Sequence, residues 1–347
     1  MKVALAGFQA VSILRGGPNT QIRKTAEALQ KLGVETVLFD PWVPFDRTSA
    51  DLFHIFSAGL GTYHLAREIR SLGIPLVVSP ITYSTHAPSF VKAGLALTRM
   101  VQHAGPGIWS DYAFTAEICS WAARALPNTR AEADLVIRGL GADPGKVVVV
   151  PNGVDGSFAE GDPTLFQDRY GVRDYILNVG HIGHPRKNVL ALIQALGSID
   201  RPSVIIGRII EGEYGKACVR EAKKHPQVLL VDGLANDSAL LRSAYAGADV
   251  FVLPSLFETP GIAALEAGLA GARVVITPNG GTREYFEDLA TYVDPRSVAS
   301  IRDGILQALI LPKDGRLQER IRQRYLWSDV AAQTLAVYRL VLERGGG

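Results

Sequence analysis

Two cysteines in 347 residues, Cys119 and Cys218, are too few for a disulfide framework or a zinc site. Both fall in stretches of helical pattern, which fits a reducing compartment. Neither sign of charge is in excess: 36 Lys and Arg stand against 34 Asp and Glu, a net of +2. So balanced a chain argues against a nucleic-acid partner and leaves open only a weak attraction to an anionic membrane surface. Long hydrophobic runs are missing too. The longest uncharged stretch, residues 71 to 91, holds three prolines and several hydroxyl residues and is no membrane span. The N-terminal MKVALAGFQAVSILRGG reads better as a first strand and a glycine loop than as a signal peptide. The expectation is a soluble, cytoplasmic chain, with a peripheral place at the inner face of a membrane left open. Neither GxGxxG at the end of the first strand nor a Walker A sequence occurs, which removes most of the case for nicotinamide chemistry and phosphate-loop ATP hydrolysis. A carboxylate-rich metal signature is absent as well.

What is present is an alternation. Apolar runs KVALAGF, ETVLFD, LFHIF, PLVVSP and VVVVP, then YILNVG, SVIIG, VLLVDG, VFVLPS, RVVIT and TYVDP, are separated by helical patterns. Such runs predict parallel sheets covered on both faces. The chain is long for one core, so two series predict two doubly wound, Rossmann-like α/β domains: 1–155 with 327–347, and 156–326. Residues 156–172, GSFAEGDPTLFQDRYGV, lack a strong period and read as the linker. Residues 84–118 show a single helix-like segment, VKAGLALTRMVQ, as a binding insertion or an ordinary loop region would. Near the C-terminus Ser328 reads as the cap of a helix in which Trp327, Val330, Ala331, Leu335, Tyr338, Val341 and Leu342 form one apolar face. A face that long has to dock, and the first domain is its expected partner.

Three stretches carry chemistry. In FETPGIAALEAGLAGARVVIT, residues 257–277, Thr259 is a good helix N-cap, Pro260 suits the first helical position, and Gly261 lets a ligand approach the backbone. A helix from 260 would aim the free amides of Gly261 and Ile262 outward at its positive end, a receptor for phosphate, carboxylate or sugar hydroxyl. Ile262, Leu265 and Leu269 form the buried stripe, and Glu266 beside it needs a partner. On a purely structural account Glu258 caps a turn and Glu266 pairs with an arginine. In YILNVGHIGHPRKNVLALIQAL, Gly180 closes a strand and Arg186 and Lys187 stand at the mouth of the next helix, where doubly wound sheets bind ligands. In LRGGPNTQIRKTAEAL, Gly16 and Gly17 lead into a helix near Pro18 or Asn19, as a tight turn or as a seat for phosphate. His54, at the end of LFHIF, reads as a structural residue.

Taken in order, RGG after the first strand, ADLVIRGLGADPGKVVVVPNGVD, the Gly180 to Lys187 segment and VDGLANDSALLRSAYAGADVFVLPSLFETPGIAALEAGLAGARVVITPNGG resemble the GT-B glycosyltransferases, specifically the large retaining family four. The resemblance implies two domains with a cleft between them and a C-terminal helix crossing back to the first. It implies a nucleotide-diphosphate sugar as donor, a glycan, lipid-linked or small-molecule acceptor, retention at the anomeric carbon, and no metal or other cofactor. It places Glu258 at the donor sugar, the loop of Thr259, Pro260, Gly261 and Ile262 with its free amides around sugar or phosphate oxygens, Glu266 on the ribose hydroxyls and Lys187 on the diphosphate. Backbone around VDGLA, including Gly233 and Leu234, would contact the base. Where the family usually has an arginine after the strand glycine, this chain has His181, so Arg186 is the candidate substitute. For the family's N-domain histidine the candidates are Tyr83 and His86. A nucleotide-sugar epimerase of the same fold and a non-catalytic partner subunit are the rival readings, against which Glu258, Glu266 and Lys187 speak. Donor base, sugar, acceptor, linkage and oligomeric state are not legible.

Overall fold

The computed structural model describes residues 1–14, 16–104 and 110–345, which divide into two compact units, 1–153 with 327–347 and 154–326. In the first unit five parallel strands, β1 (Lys2–Ala6), β2 (Glu35–Leu38), β3 (Leu52–Phe56), β4 (Leu76–Ser79) and β5 (Arg124–Ala125), stand in the order β2-β1-β3-β4-β5. The order reverses between β1 and β3, and the loops after these strands flank that switch point. Strands β3 and β4 are buried at every position, because helices cover both faces, whereas the edge strand β2 is largely exposed.

The expected strand VVVVP is not one of the five. Val147 bridges Ala125, and Val148 and Val150 donate to the carbonyls of Ala125 and Pro127, so the run lies along the outer side of β5. The sheet ends there, which leaves Val149 exposed and Val147 and Val148 half-buried despite four consecutive valines. Two helices, Pro88–Ala104 and Asp111–Trp121, occupy the region where the sequence showed one; Ser110 caps the second through the Ala113 N–H.

The C-terminal helix, Trp327–Gly345, packs on the helix Gly17–Lys31. Trp327, Val330, Leu335, Tyr338 and Val341 are buried in one cluster with Val3, Leu5, Ile22 and Leu29. Within it the Tyr338 hydroxyl meets His54 Nδ1 at 2.6 Å, and Ser79 Oγ meets Nε2 at 3.0 Å. Burial pushes the His54 imidazole down to about 3, so it is a neutral, satisfied core residue.

The second unit has six parallel strands, β6 (Tyr175–Val179), β7 (Ser203–Ile206), β8 (Val228–Val231), β9 (Ala248–Leu253), β10 (Arg273–Ile276) and β11 (Thr291–Tyr292), in the order β11-β10-β9-β6-β7-β8. Its switch point lies between β6 and β9. The stretch expected as a linker belongs to this unit's core. It forms a 3₁₀ turn, Gly156–Glu160, and a helix, Thr164–Tyr170, and buries Phe158 against Tyr245 and Phe166 against Tyr175. Burial of two aromatic rings outweighs the turn-forming composition around them.

The chain passes between units at 153/154 and again at 326/327. On the second-unit side Val154 bridges Leu326, and its N–H donates to the Tyr325 carbonyl at 2.7 Å. On the first-unit side Gly153 lies so close to the Trp327 indole that a Cβ would sit 2.6 Å from ring carbons. Among the described residues no helix is long and apolar enough to cross a membrane.

Candidate functional site

The site is built on the loops that leave β6 and β9 at the switch point. After β6, Gly180 N–H donates to the Ile206 carbonyl, and Gly207 approaches the Gly180 carbonyl too closely for any side chain. The chain then makes a 3₁₀ turn, Pro185–Lys187, capped by His184, whose Nδ1 accepts from the Arg186 N–H at 3.3 Å. Asn188, left-handed at φ +56°, donates its side-chain amide to the carbonyls of Pro254 at 3.1 Å and Pro295 at 2.6 Å. Leu256 N–H donates to the Arg186 carbonyl at 2.9 Å, so the two loops are tied to each other through both backbone and side chain.

Glu258 is fixed by its own backbone. Its N–H donates to Asn279 at 3.1 Å and its carbonyl accepts from Gly281 at 2.9 Å, on either side of Gly280. Gly280 has φ +96°, and a Cβ there would collide with the Glu258 carbonyl, so the approach requires glycine. The side chain thus meets the β6 loop: Lys187 Nζ stands 2.6 Å and an Arg186 Nη 3.4 Å from Glu258 Oε1. Arg186 also donates to the Phe257 carbonyl at 2.9 Å and lies 5.1 Å over the Phe257 ring. Burial alone would push the Glu258 carboxyl up; Lys187 and Arg186 together outweigh it and hold the group below its ordinary range. The carboxylate is 7% exposed, while Lys187 and Arg186 keep 21% and 32% of their side chains in water. Two accessible cations around one sunken anion leave net positive charge facing outward, which suits an anionic ligand.

The helix that follows starts later than expected. It spans Ile262–Leu269 with Gly261, at φ +88°, as its N-cap; Thr259 and Pro260 lie outside it. The bridge from Glu258 to Gly280 holds the backbone at 258, Thr259 and Pro260 form a bend, and the left-handed Gly261 redirects the chain into the helix. Ala264 and Leu265 donate back to the Gly261 carbonyl at 2.8 and 3.3 Å, so Ile262 and Ala263, rather than Gly261 and Ile262, supply the amides at the helix mouth. Glu266, 4% exposed, accepts from the Tyr245 hydroxyl at 2.6 Å. Burial, reinforced by the Glu266 charge, holds the Tyr245 hydroxyl far above its ordinary pKa.

The other predicted residues are distributed as follows. His181, half-buried, follows Gly180 at the end of β6; Gly233, at φ +50°, and Leu234 follow β8, next to the backbone of Arg208 in the case of Gly233. Gly16, Gly17, Tyr83 and His86 belong to the first unit. Gly16 is the N-cap of the helix Gly17–Lys31, and Arg15 of the RGG stretch lies outside the described residues. Tyr83 and His86 sit on the loop after β4, where Ile81 has φ +51°; burial pushes the Tyr83 hydroxyl up, and His86 is exposed beside Phe90. The buried Glu132 carboxylate anchors this loop by accepting from the N–H groups of Thr82 at 2.8 Å and Asn128 at 2.7 Å. Sequence reasoning missed Tyr245, Asn188, Gly280 and Glu132. Of these only Gly280, paired with Gly281 at the end of PNGG, carried a local signal.

Two all-parallel units, each with its loops gathered at a switch point, define a two-domain Rossmann-like protein of the GT-B class. The same fold is seen in sucrose-phosphate synthase from Thermosynechococcus elongatus, with a TM-score of 0.76, 17% identity and coverage of 99% of this chain and 100% of that one. It is seen also in the Anabaena HepE protein solved with UDP and glucose, with a TM-score of 0.71, 15% identity and coverage of 98% and 99%. Residues 173–310 match the glycosyl transferases group 1 family and residues 38–153 the glycosyl transferase 4-like domain, so each unit carries a glycosyltransferase match. Among curated relatives, D-inositol 3-phosphate glycosyltransferase 2 of Catenulispora acidiphila is 29% identical over 76% of this chain and 66% of its own length. The MMP alpha-(1->4)-mannosyltransferase of Mycolicibacterium hassiacum is 26% identical over 80% and 68%. The matches span between 53% and 68% of the length of the relatives that come first in similarity.

Proposed function

We propose that this protein is a retaining glycosyltransferase that moves a sugar from a nucleotide-diphosphate donor to a glycan, lipid-linked or small-molecule acceptor. The observation that carries the reading is the meeting of Lys187 and Arg186 with Glu258 at the β6/β9 switch point, one helix away from the buried Glu266. In this reading the diphosphate takes Lys187 and Arg186 as its counter-ions, and the amides of Ile262 and Ala263 receive phosphate or sugar oxygens. Glu258 then faces the sugar and Glu266 the ribose diol, for which a carboxylate is a two-point acceptor. Negative charge grows on the diphosphate as the sugar departs, and a fixed ammonium stabilises that state more than the ground state. Lysine, arginine and helix amides fill the neutralising role, so no metal is required. On the acceptor side Tyr83 and His86 are the candidates. A lipid-linked acceptor or a membrane surface would account for Phe90, Leu97 and Met100, all exposed on the adjoining helix.

The test is thermal-shift screening against UDP, GDP and ADP and their sugars, followed by product analysis with acceptor. One base should raise the melting temperature, a ligand at a hundredfold over Kd adding about 2.7 kcal/mol. Its sugar should be transferred with retained anomeric configuration. No shift with any of the three, or inversion, would overturn the proposal.

A further inference from the structure

Tyr245 is the residue that no motif singled out and that touches the proposed ribose carboxylate. It lies on the helix Ala239–Ala246, fully buried, with the rings of Phe158 and Phe251 at 5.3 and 5.8 Å, so the phenol has no room to swing. Its hydroxyl donates to Glu266 Oε2 at 2.6 Å. A carboxylate gripped at one oxygen by a rigid, charge-assisted hydrogen bond has its plane and its second oxygen directed as well. Flexible glutamate rotamers are thereby reduced before any ligand arrives, which is what a pre-organised acceptor for a vicinal diol needs.

We propose that Tyr245 is a positioning residue for the nucleotide: acting through Glu266, it fixes the carboxylate that receives the ribose hydroxyls. The proposal rests on the ribose role of Glu266 given above. It separates Tyr245 from a tyrosine that merely fills the core, because a core tyrosine would affect stability without affecting how the protein distinguishes a ribose diol from a sugar that lacks it.

The experiment uses the whole chain and two probes: the nucleoside diphosphate that gives the largest thermal shift among UDP, GDP and ADP, and its 2′,3′-dideoxy counterpart. The parent should bind the diol form more tightly. Tyr245→Phe should weaken the diol form about tenfold and the dideoxy form by less than about twofold, the loss of one charge-assisted hydrogen bond. If the parent itself does not distinguish the two probes, the ribose role of Glu266 fails and the proposal with it. If the parent distinguishes them and Tyr245→Phe does so equally well, Glu266 keeps its role and the positioning role of Tyr245 is overturned. Tyr245→Phe alone strips a partner from a buried charge, so it is also measured in the Glu266→Ala background, where both the charge and the acceptor are gone. There it should change affinity for neither probe, and a further loss confined to the diol form would show that Tyr245 acts by another route.

Discussion

Lys187 carries two separable consequences. It neutralises Glu258 in the unliganded protein and, in the proposed reaction, the departing diphosphate. Lys187→Ala should therefore lower turnover about a hundredfold to a thousandfold, roughly 2.7 to 4 kcal/mol, the range for one preorganised stabiliser of developing charge. It should also lower stability by about 1–3 kcal/mol, since Glu258 keeps a single cation, Arg186 at 3.4 Å, against its burial. Steady-state kinetics and denaturant midpoints check the two; near-parental turnover would move the phosphate site elsewhere. His54 gives a second residue-scale expectation, and its sign follows from its burial. The unfolded chain protonates this imidazole below its ordinary 6.5, while the folded one stays neutral down to about 3. Between those values falling pH favours the unfolded state, by about 1.4 kcal/mol per unit, and above 6.5 the group contributes no slope. His54→Gln should flatten the fall of melting temperature between pH 6.5 and 5; an unchanged slope would show that His54 is not held neutral.

At the scale of elements, Gly280 joins the β10 loop to Glu258, and its substitution should act on chemistry as well as on stability. Gly280→Ala meets both an unfavourable φ and the Glu258 carbonyl, and should cost about 1–3 kcal/mol together with most of the turnover. Gly315→Ala provides the contrast: it has φ +75° but nothing within 4 Å, so it should cost about 1 kcal/mol and leave turnover alone. Equal turnover in the two variants would contradict the role of Gly280 in holding Glu258. Elements were legible where pattern and burial agree. The runs that became β1, β3 and β4 in the first sheet and β6, β7, β9 and β10 in the second are apolar because both faces of their sheets are covered. VVVVP misled because β-branched composition reports fit to a pleated surface, and it cannot say that the sheet has already ended. The helix start misled because Thr259–Pro260 satisfies every local rule, while the backbone partner that overrules them, Gly280, comes 20 positions later. Separation along the chain also hid the site's geometry. Lys187 and Glu258 were each conspicuous, but 71 residues separate them, and their meeting depends on β6 and β9 being neighbours. Tyr245 gave no sign at all, since a buried tyrosine in a helix announces only its ring.

At the scale of the whole molecule, the helix Trp327–Gly345 closes the core of the first unit from the far end of the sequence. Removal of residues 327–347 would expose Val3, Leu5, Ile22 and Leu29 and leave His54 without the Tyr338 hydroxyl. The truncated protein should lose the cooperative melting of the first unit. The second unit, residues 154–326, has its own sheet and core and should keep a separate transition, still raised by the nucleoside diphosphate of the screen. Calorimetry of the truncated chain distinguishes this from a single collapse of both transitions.

Because the chain enters the second unit at Val154 and leaves it at Leu326, the order of synthesis is not the order of completion. A ribosome finishes every strand of the second sheet while the first, begun earlier, still lacks the helix that seals it. At roughly 5–20 residues per second, the β1 side of that first sheet waits on the order of ten seconds or more after residue 153 emerges. Nascent chains stalled so that 154–326 have left the ribosome while 327–347 have not should therefore show protease resistance in 154–326 and cleavage in 1–153. The segment made first would be the one most in need of a chaperone, and a late frameshift would spare the younger half of the protein while undoing the older.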